Sequence, residues 1–310
     1  MKKYKILAII ALAVLSVCGI SLPVLAAEHL STGKTHLLVS PTKQRVSLEP
    51  GTSYKGSFEV HNAGQEDFSY TVYATPYTVV DDNYGISYED KNQYSYIADW
   101  TTFSKTEGHL NPDEKDEINF TIDVPFDAPG GGQYAAFMVE TADTRDQHNI
   151  GVINRVGMVF YGSVSGETKK CAKIIDNKIN SFLFAPPISA TSLVENCGNV
   201  HGDIKYTLKV WPIFSNEEIY TNEEDPVTKV ILPGTRRFST TSWDSAPAIG
   251  LFWVEHTVKL FDQTSTIRRL IIIIPLWLIL LIAAFLIAVI FHLVSRHKAR
   301  QKQKTSSQND

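Results

Sequence analysis

The side chains best suited to chemistry lie in one loop of the first half of the chain. Asp81, Asn83 and Glu89 place three oxygen-bearing side chains close together in sequence, and carboxylate and amide oxygens are the ligands that Ca²⁺ prefers. Their spacing does not match that of an EF-hand loop, and the alternative is an acidic loop that is simply solvated. We therefore predict no cofactor, with Ca²⁺ bound by this loop as the alternative.

Five tyrosines surround these acidic residues. Exposed tyrosines are common at recognition surfaces, because they combine apolar area with a polar tip. We therefore predict a binding site for a macromolecular partner in this loop; the alternative is that the rings cap the edge of a sheet. The tyrosines of the predicted site are Tyr77, Tyr84, Tyr88, Tyr94 and Tyr96.

The chain does not show the motifs of common enzymes. Neither Gly-x-Ser-x-Gly nor His-Glu-x-x-His occurs, so two frequent hydrolase arrangements are missing. The three glycines at 130–132 are not followed by the Lys-Ser or Lys-Thr of a phosphate-binding loop. We expect a hairpin there instead, in which glycine permits a positive φ. No catalytic residue is predicted, and we expect a protein that is not an enzyme.

Two cysteines, Cys171 and Cys197, lie in the body of the chain. In an oxidising compartment such a pair favours a disulfide bond, although two separate thiols remain the alternative. The bond would close a loop of about 26 residues and stabilise the fold by about 3.5 kcal/mol on the chain-entropy model.

An apolar run near the end of the chain predicts a membrane-spanning helix. Leu270 to Phe291 are consecutive apolar residues, and at about 1.5 Å per residue they extend about 33 Å, enough for a hydrocarbon core of about 30 Å. Five basic residues follow between 296 and 304. We therefore predict contact with the lipid bilayer through 270–294, and a basic cytoplasmic tail at 295–310.

The beginning of the chain predicts a secretory signal peptide at 1–27. Lysines at 2, 3 and 5 precede an apolar stretch, and small residues follow it, which is the order of regions in such peptides. Lipidation of Cys18 is the alternative, but Val17 stands where a small residue is needed. A cleaved signal and one C-terminal span predict a single-pass type I protein of the cell membrane, with the bulk of the chain extracellular.

The charge of that extracellular bulk argues against nucleic acid as a partner. The chain has 29 basic and 33 acidic residues. Leaving out three basic residues of the signal, and five basic residues and one acidic residue of the tail, gives 21 basic and 32 acidic residues for 27–269. The net charge of about −11 repels phosphate backbones.

Alternation of apolar and polar residues predicts strands throughout this region. It is clear at 54–61, 118–124 and 203–210, and turn signals rich in glycine and proline separate the strands. Short, regularly spaced strands of this kind are typical of antiparallel sandwiches. The predicted fold class is all-β, with two tandem immunoglobulin-like β-sandwiches at 28–166 and 170–266 followed by one transmembrane α-helix. We expect Trp211 and Trp253 to pack between the sheets of the second sandwich.

Several segments resemble uncharacterised bacterial surface proteins of the WxL-interacting type. They are Leu48 to Asn62, Asp99 to Phe103, Asp127 to Tyr134 and Glu195 to His201. The resemblance covers nearly the whole chain and implies a signal peptide, two immunoglobulin-like domains and a C-terminal membrane helix with a basic tail. In that family the first domain is associated with peptidoglycan binding and the second with host or matrix proteins. No binding residue is carried over, because the matching segments are turn and strand-start signatures.

These observations lead us to expect a membrane-anchored surface protein with a non-catalytic binding role, toward a cell-wall polymer or another surface protein. The alternative is an assembly or chaperone-like component that pairs an edge strand with an exported subunit, because sandwich domains have edges able to accept or donate a strand. A glycan-active enzyme would need two carboxylates that face each other across a cleft, and no such pairing is evident in the sequence.

Overall fold

The computed structural model describes residues 36–141 and 153–306, with side chains described as far as residue 296. The predicted signal peptide, 1–27, lies outside the described residues, and so does the end of the predicted tail. Within the described ranges the chain forms two β-sandwich domains and one long C-terminal helix.

The first domain contains eleven strands and one helical turn. They are β1 (Leu37–Ser40), β2 (Lys43–Leu48), β3 (Ser53–Asn62), β4 (Phe68–Pro76), β5 (Thr78–Val79), β6 (Ile86–Ser87), α1 (Ile97–Trp100), β7 (Thr101–Phe103), β8 (Glu107–Leu110), β9 (Lys115–Asp123), β10 (Gly131–Thr141) and β11 (Arg155–Val164).

Two sheets form the first sandwich. A four-stranded sheet has the order β1-β3-β9-β7, and a five-stranded sheet has the order β2-β11-β10-β4-β8. The expected alternation is confirmed, since Phe58 on β3 and Phe120 on β9 point inward and are buried. Phe137 and Phe160 meet them from the facing sheet, with ring centroids 4.9 Å and 5.9 Å from that of Phe120. Burial of these apolar faces is the main favourable contribution to the fold.

The second domain contains nine strands. They are β12 (Ala172–Ile179), β13 (Phe182–Leu183), β14 (Ile188–Asn196), β15 (Gly202–Pro212), β16 (Tyr220–Thr221), β17 (Val227–Ile231), β18 (Arg236–Trp243), β19 (Gly250–Leu260) and β20 (Gln263–Ile273).

A three-stranded sheet, β12-β14-β18, packs against a larger sheet in the second domain. The larger sheet has the order β13-β20-β19-β15-β16, and β17 also pairs with β15. Along β15 the apolar residues Ile204, Tyr206, Leu208 and Val210 are fully buried, as their alternation predicts. The all-β fold class, with two immunoglobulin-like sandwiches and a C-terminal helix, is therefore confirmed.

Cys171 and Cys197 form a disulfide bond, with their Cα atoms 4.9 Å apart. The amide N–H of Cys197 also donates to the carbonyl oxygen of Cys171 at 3.0 Å. The bond joins the residue before β12 to the residue after β14, so it fastens two paired strands where the chain enters the second domain.

The apolar run that was predicted to span the membrane divides into a strand and a helix. β20 continues to Ile273, and the helix α2 spans Leu276–Ser306. The expected start of the span at residue 270, and the expected end of the second sandwich at 266, are therefore wrong. Ile271 and Ile273 are fully buried in the core of the domain, and a continuous apolar run does not distinguish a core strand from a lipid-facing helix. Leu276–Arg296, with a mean hydropathy of 2.9, is long and apolar enough to cross a membrane.

The two tryptophans expected between the sheets lie elsewhere. Trp211 and Trp253 face each other across β15 and β19, on the outer side of the sheet. The inward positions on either side of Trp253 are taken by Phe252 and Val254. Strand alternation decides this placement, because neighbours along a strand point to opposite faces.

His256 on β19 is a fully buried histidine. Its Nδ1 lies 2.7 Å from Oδ1 of Asn177 and donates to it when the ring is neutral. Its Nε2 has no hydrogen-bond partner in the described part of the chain. Protonation would place a second N–H at this buried, unpartnered atom, and burial accordingly lowers the pKa of His256 to about 4.

We expect this histidine to make the fold sensitive to acid. The folded-state pKa lies below the unfolded value of about 6.5, so between these values the unfolded chain binds the proton and the folded chain does not. Lowering the pH through this window should reduce the free energy of unfolding by up to about 3 kcal/mol, at about 1.4 kcal/mol per pKa unit. Urea denaturation of the full chain across this range measures the slope.

The His256→Gln variant should lose most of that slope, while His36→Gln, at an exposed position, should keep it. An unchanged slope in His256→Gln would show that other groups cause the sensitivity to acid.

Candidate functional site

The loop that carries the predicted site packs against the second domain. The Tyr84 hydroxyl oxygen accepts the N–H of Leu232 at 3.0 Å, and the guanidinium of Arg237 lies 3.8 Å from the centroid of the Tyr84 ring. The N–H of Phe238 donates to the carbonyl oxygen of Asp82 at 2.6 Å. Burial raises the pKa of Tyr84. Tyr84 is therefore an anchor between the domains.

The five tyrosines do not share one environment. Tyr77 is buried and packs edge-on against Tyr161, and Tyr94 is half-buried. Tyr88 and Tyr96 keep 38% and 41% of their surface exposed. The expectation of an exposed surface is therefore wrong for Tyr77 and does not describe Tyr84. A binding role for Tyr88 and Tyr96 stays a prediction.

Two acidic residues of the loop have partners within the chain, one inside the loop and one in the second domain. Oδ1 of Asp81 accepts the N–H of Gly85 at 2.9 Å, and Asp82 forms an ion pair with Arg236 of the second domain at 3.0 Å. The residues that the structure describes contain no group of three or more histidine, cysteine, aspartate or glutamate side chains able to hold a metal ion. Asp81, Asn83 and Glu89 therefore gain no support as a calcium site.

A bidentate ion pair connects the domains at a second point. Arg45 on β2 donates to both carboxylate oxygens of Asp203 on β15, at 2.7 Å and 2.6 Å. These bonds lower the pKa of Asp203. His201 lies beside the pair, within 3.3 Å of the Tyr134 hydroxyl, and burial followed by the charge of Arg45 lowers its pKa. A two-pronged pair of this kind fixes orientation as well as distance.

The three consecutive glycines allow the second domain to approach closely. The N–H of Gly132 donates to the carbonyl oxygen of Asn199 at 2.7 Å, and the Asn199 side chain donates to Gly130 O at 3.2 Å. Gly131 has φ +117°, and a Cβ there would lie 2.5 Å from Asn199 O. The expected hairpin is wrong, because β9 and β10, on either side of this segment, belong to different sheets. The glycines serve the domain junction instead, since only glycine leaves room for this contact.

A shallow cleft of about 440 Å³ opens beside this contact. Glu167 and Lys169 are its charged lining residues, and much of the rest is small. No nucleophile with an adjacent base, and no pair of carboxylates, lines it. Its residues are Tyr94, Gly130, Glu167, Lys169, Cys197, Gly198 and Asn199.

The principal residues of the junction were not predicted from the sequence. Arg45 and Asp203 are 158 positions apart, and charged residues on alternating strands are expected to be solvated. Signals did exist for Asn199 and the glycines, since both lie in the segments of the family resemblance. Those segments indicated turns, and the contact between the turns required the three-dimensional arrangement.

Comparison with known proteins gives a likeness in fold. No family model matches the chain, and no curated protein matches it. Similar solved structures include the Class 5 fimbriae chaperone CfaA, with 13% identity, 76% of this chain and 99% of that chain covered, and a TM-score of 0.39. The E. coli chaperone DraB has 11% identity, 76% and 97% coverage and a TM-score of 0.36. These values are low, and the fold described above rests on its own strand pairing.

We expect the Tyr84 hydroxyl to matter for the stability of the junction. In Tyr84→Phe the N–H of Leu232, a buried residue, loses its acceptor, and an unsatisfied buried donor costs about 1–3 kcal/mol. Urea denaturation of the full chain should show a loss of this size. The matched control is Tyr88→Phe, on an exposed ring, with an expected change within about 0.5 kcal/mol. Equal losses in the two variants would contradict the role of Tyr84.

Proposed function

We propose that this chain is a membrane-anchored protein of the bacterial cell surface, of the WxL-interacting type, that binds a partner without catalysing a reaction. The observation that carries the proposal is the helix Leu276–Arg296. It follows two sandwich domains directly, it is apolar enough to span a bilayer, and its side chains are not buried by the rest of the described chain. An apolar helix of a soluble protein would bury one face in the core.

The charges on either side of the helix support the type I orientation. Basic residues follow the span from Arg296 onward, and cytoplasmic flanks carry an excess of lysine and arginine. The two arginines before the span, Arg268 and Arg269, belong to β20 and therefore to the folded domain. In this proposed topology, with the predicted signal peptide, both sandwiches lie outside the cell.

The proposed partner is another surface protein or a cell-wall polymer. We call the segment 77–96, which carries the five predicted tyrosines, the tyrosine loop. Tyr88 and Tyr96 are the two that remain exposed, and Tyr96 stacks on Trp100 of α1 with ring centroids 6.1 Å apart. A ring held in place by a stacked neighbour loses little conformational entropy when it binds, and it offers apolar area for the recognition of protein or sugar surfaces.

A second candidate function is the pairing of an edge strand with an exported subunit. β2 pairs with β11 from Val159 to Val164. Among the described residues, no strand pairs with the outer edge of β11 between Arg155 and Met158. The N–H of Val159 donates to the carbonyl oxygen of Thr42, the residue before β2, at 3.0 Å. By alternation the N–H groups of Arg155 and Gly157 point to the same side, which is this open edge. An added strand could bind there.

We expect protease added to intact cells to remove the sandwich domains. An antibody against the sandwich domains should lose its signal without permeabilisation, while a cytoplasmic marker protein stays intact. The reason is the type I topology, which exposes everything before residue 276. Loss of the domains only after permeabilisation would contradict the proposed location.

Photo-crosslinking on intact cells separates the two candidate functions. A photoreactive phenylalanine analogue is placed at Tyr88, Tyr96 or Arg155, with Leu38, exposed on β1, as the control. We expect adducts with wall polymer or a surface protein at Tyr88 and Tyr96, because these rings are exposed in the proposed binding loop. Adducts at Arg155 alone would favour strand pairing, and adducts no stronger than at Leu38 would contradict both.

A further inference from the structure

One end of the second domain carries a large apolar surface. Phe182 and Leu251 both pair with Ile272 near the end of β20, and residues directly opposite on paired strands share a face. They form one apolar row on the outer side of the six-stranded sheet. The next row consists of Leu270, Trp253 and Trp211 in register.

The same face becomes polar farther from the end of β20. The third row consists of Arg268, Glu255 and Lys209, and the fourth consists of Thr266, Thr257 and Thr207. Rows on one face are two residues apart, which is about 7 Å. The outer face is therefore apolar for two rows and hydrophilic beyond them.

The loops at this end extend the apolar surface. Phe184 is 54% exposed and follows Leu183, whose carbonyl oxygen accepts the N–H of Ile274 at 3.0 Å. Phe214 is 95% exposed and follows Ile213, whose N–H donates to Leu251 O at 3.1 Å. We call the apolar residues of this end the apolar rim: Phe182, Phe184, Phe214, Ile249, Leu251 and Trp253.

The short connection between β20 and α2 indicates what covers the apolar rim. Helix α2 begins at Leu276, three residue steps after Ile273, and three steps span at most about 11 Å. Ile273, at the end of β20, therefore lies within that distance of the first residue of the proposed span, and Gly250 of β19 and Leu183 of β13 pair with Ile273 in register. The polar layer of a bilayer is about 5–8 Å thick on each side. A domain held so close to the entry point of its helix meets this layer.

We propose that the apolar rim is a lipid-binding surface, which seats the second domain in the outer interface of the bilayer that α2 enters. This inference rests on the proposed membrane anchoring. The guanidinium of Arg268 lies 4.9 Å and 5.4 Å from the ring centroids of Trp211 and Trp253. Tryptophan is enriched at membrane interfaces, and arginine is attracted to anionic headgroups. The second row and Arg268 thus have the composition of an interfacial layer.

Depth-dependent quenching in vesicles tests the proposal on the full chain. In a Cys18→Ser background, with the disulfide left oxidised, single cysteines replace Leu251, Thr257 or Leu281 and receive an environment-sensitive fluorophore. The protein is reconstituted in vesicles of phosphatidylcholine and phosphatidylglycerol, and thermal unfolding checks that each variant is folded. Thr257 is the matched control, because it lies on the same face of β19, six residues and about 20 Å from Leu251.

We expect a nitroxide on a shallow acyl carbon to quench the labels at Leu251 and Leu281 strongly, and aqueous iodide to quench only the label at Thr257. An unquenched label at Leu281 would refute the membrane anchoring itself. Lipid quenching at Leu281 without quenching at Leu251 would leave the anchoring intact and overturn the lipid-binding surface. Protection of Leu251 from both quenchers would also overturn it, since a protein partner would then cover the apolar rim.

Discussion

One constraint governs the architecture of this chain: a single apolar run must complete a protein core and then begin an apolar helix that is long enough to cross a membrane. Ile271 and Ile273 are fully buried in the second sandwich, and Leu276 already belongs to α2. Only Ile274 and Pro275 lie between these two environments. Proline supports this change, because it ends the strand ladder and is well tolerated at the beginning of a helix. The second domain cannot be far from whatever environment surrounds the helix.

The junction between the sandwiches extends this constraint to the first domain. Tyr84, Asp82 and Arg45 of the first domain bind Leu232, Phe238 and Asp203 of the second. These contacts combine a buried hydrogen bond, a backbone bond and a bidentate ion pair. The ion pair is partly exposed, so its contribution to stability is modest and its effect on orientation is greater. The tyrosine loop is thereby divided between a packed half and an exposed half.

The fold class could be predicted from the sequence, because the alternation of apolar and polar residues along each strand indicates which of its faces is buried. Phe58 and Phe120 alternate with polar residues, and the structure buries them as expected. The same alternation did not separate residues of a protein core from apolar residues in other environments. Leu270 to Ile273 are as apolar as the helix that follows, and Trp211 and Trp253 are as apolar as core residues. Tyr77 and Tyr84 gave no sign of burial, because the residues that cover them are distant in sequence: Tyr161 packs on Tyr77, and residues of the second domain contact Tyr84.

The distribution of charge bears on the proposed contact between the second domain and a bilayer. With a net charge of about −11 for 27–269, the chain before the helix is repelled by anionic lipid. That repulsion is greatest at the end nearest the helix. There the outer face of the sheet carries two rows without any acidic side chain. The first carboxylate on that face, Glu255, is paired in register with Arg268. Acidic side chains closer to the end of β20 would lose hydration and be repelled by anionic lipid if a bilayer lay there. The absence of charge from these two rows therefore suits a sheet end that a short connection holds close to α2.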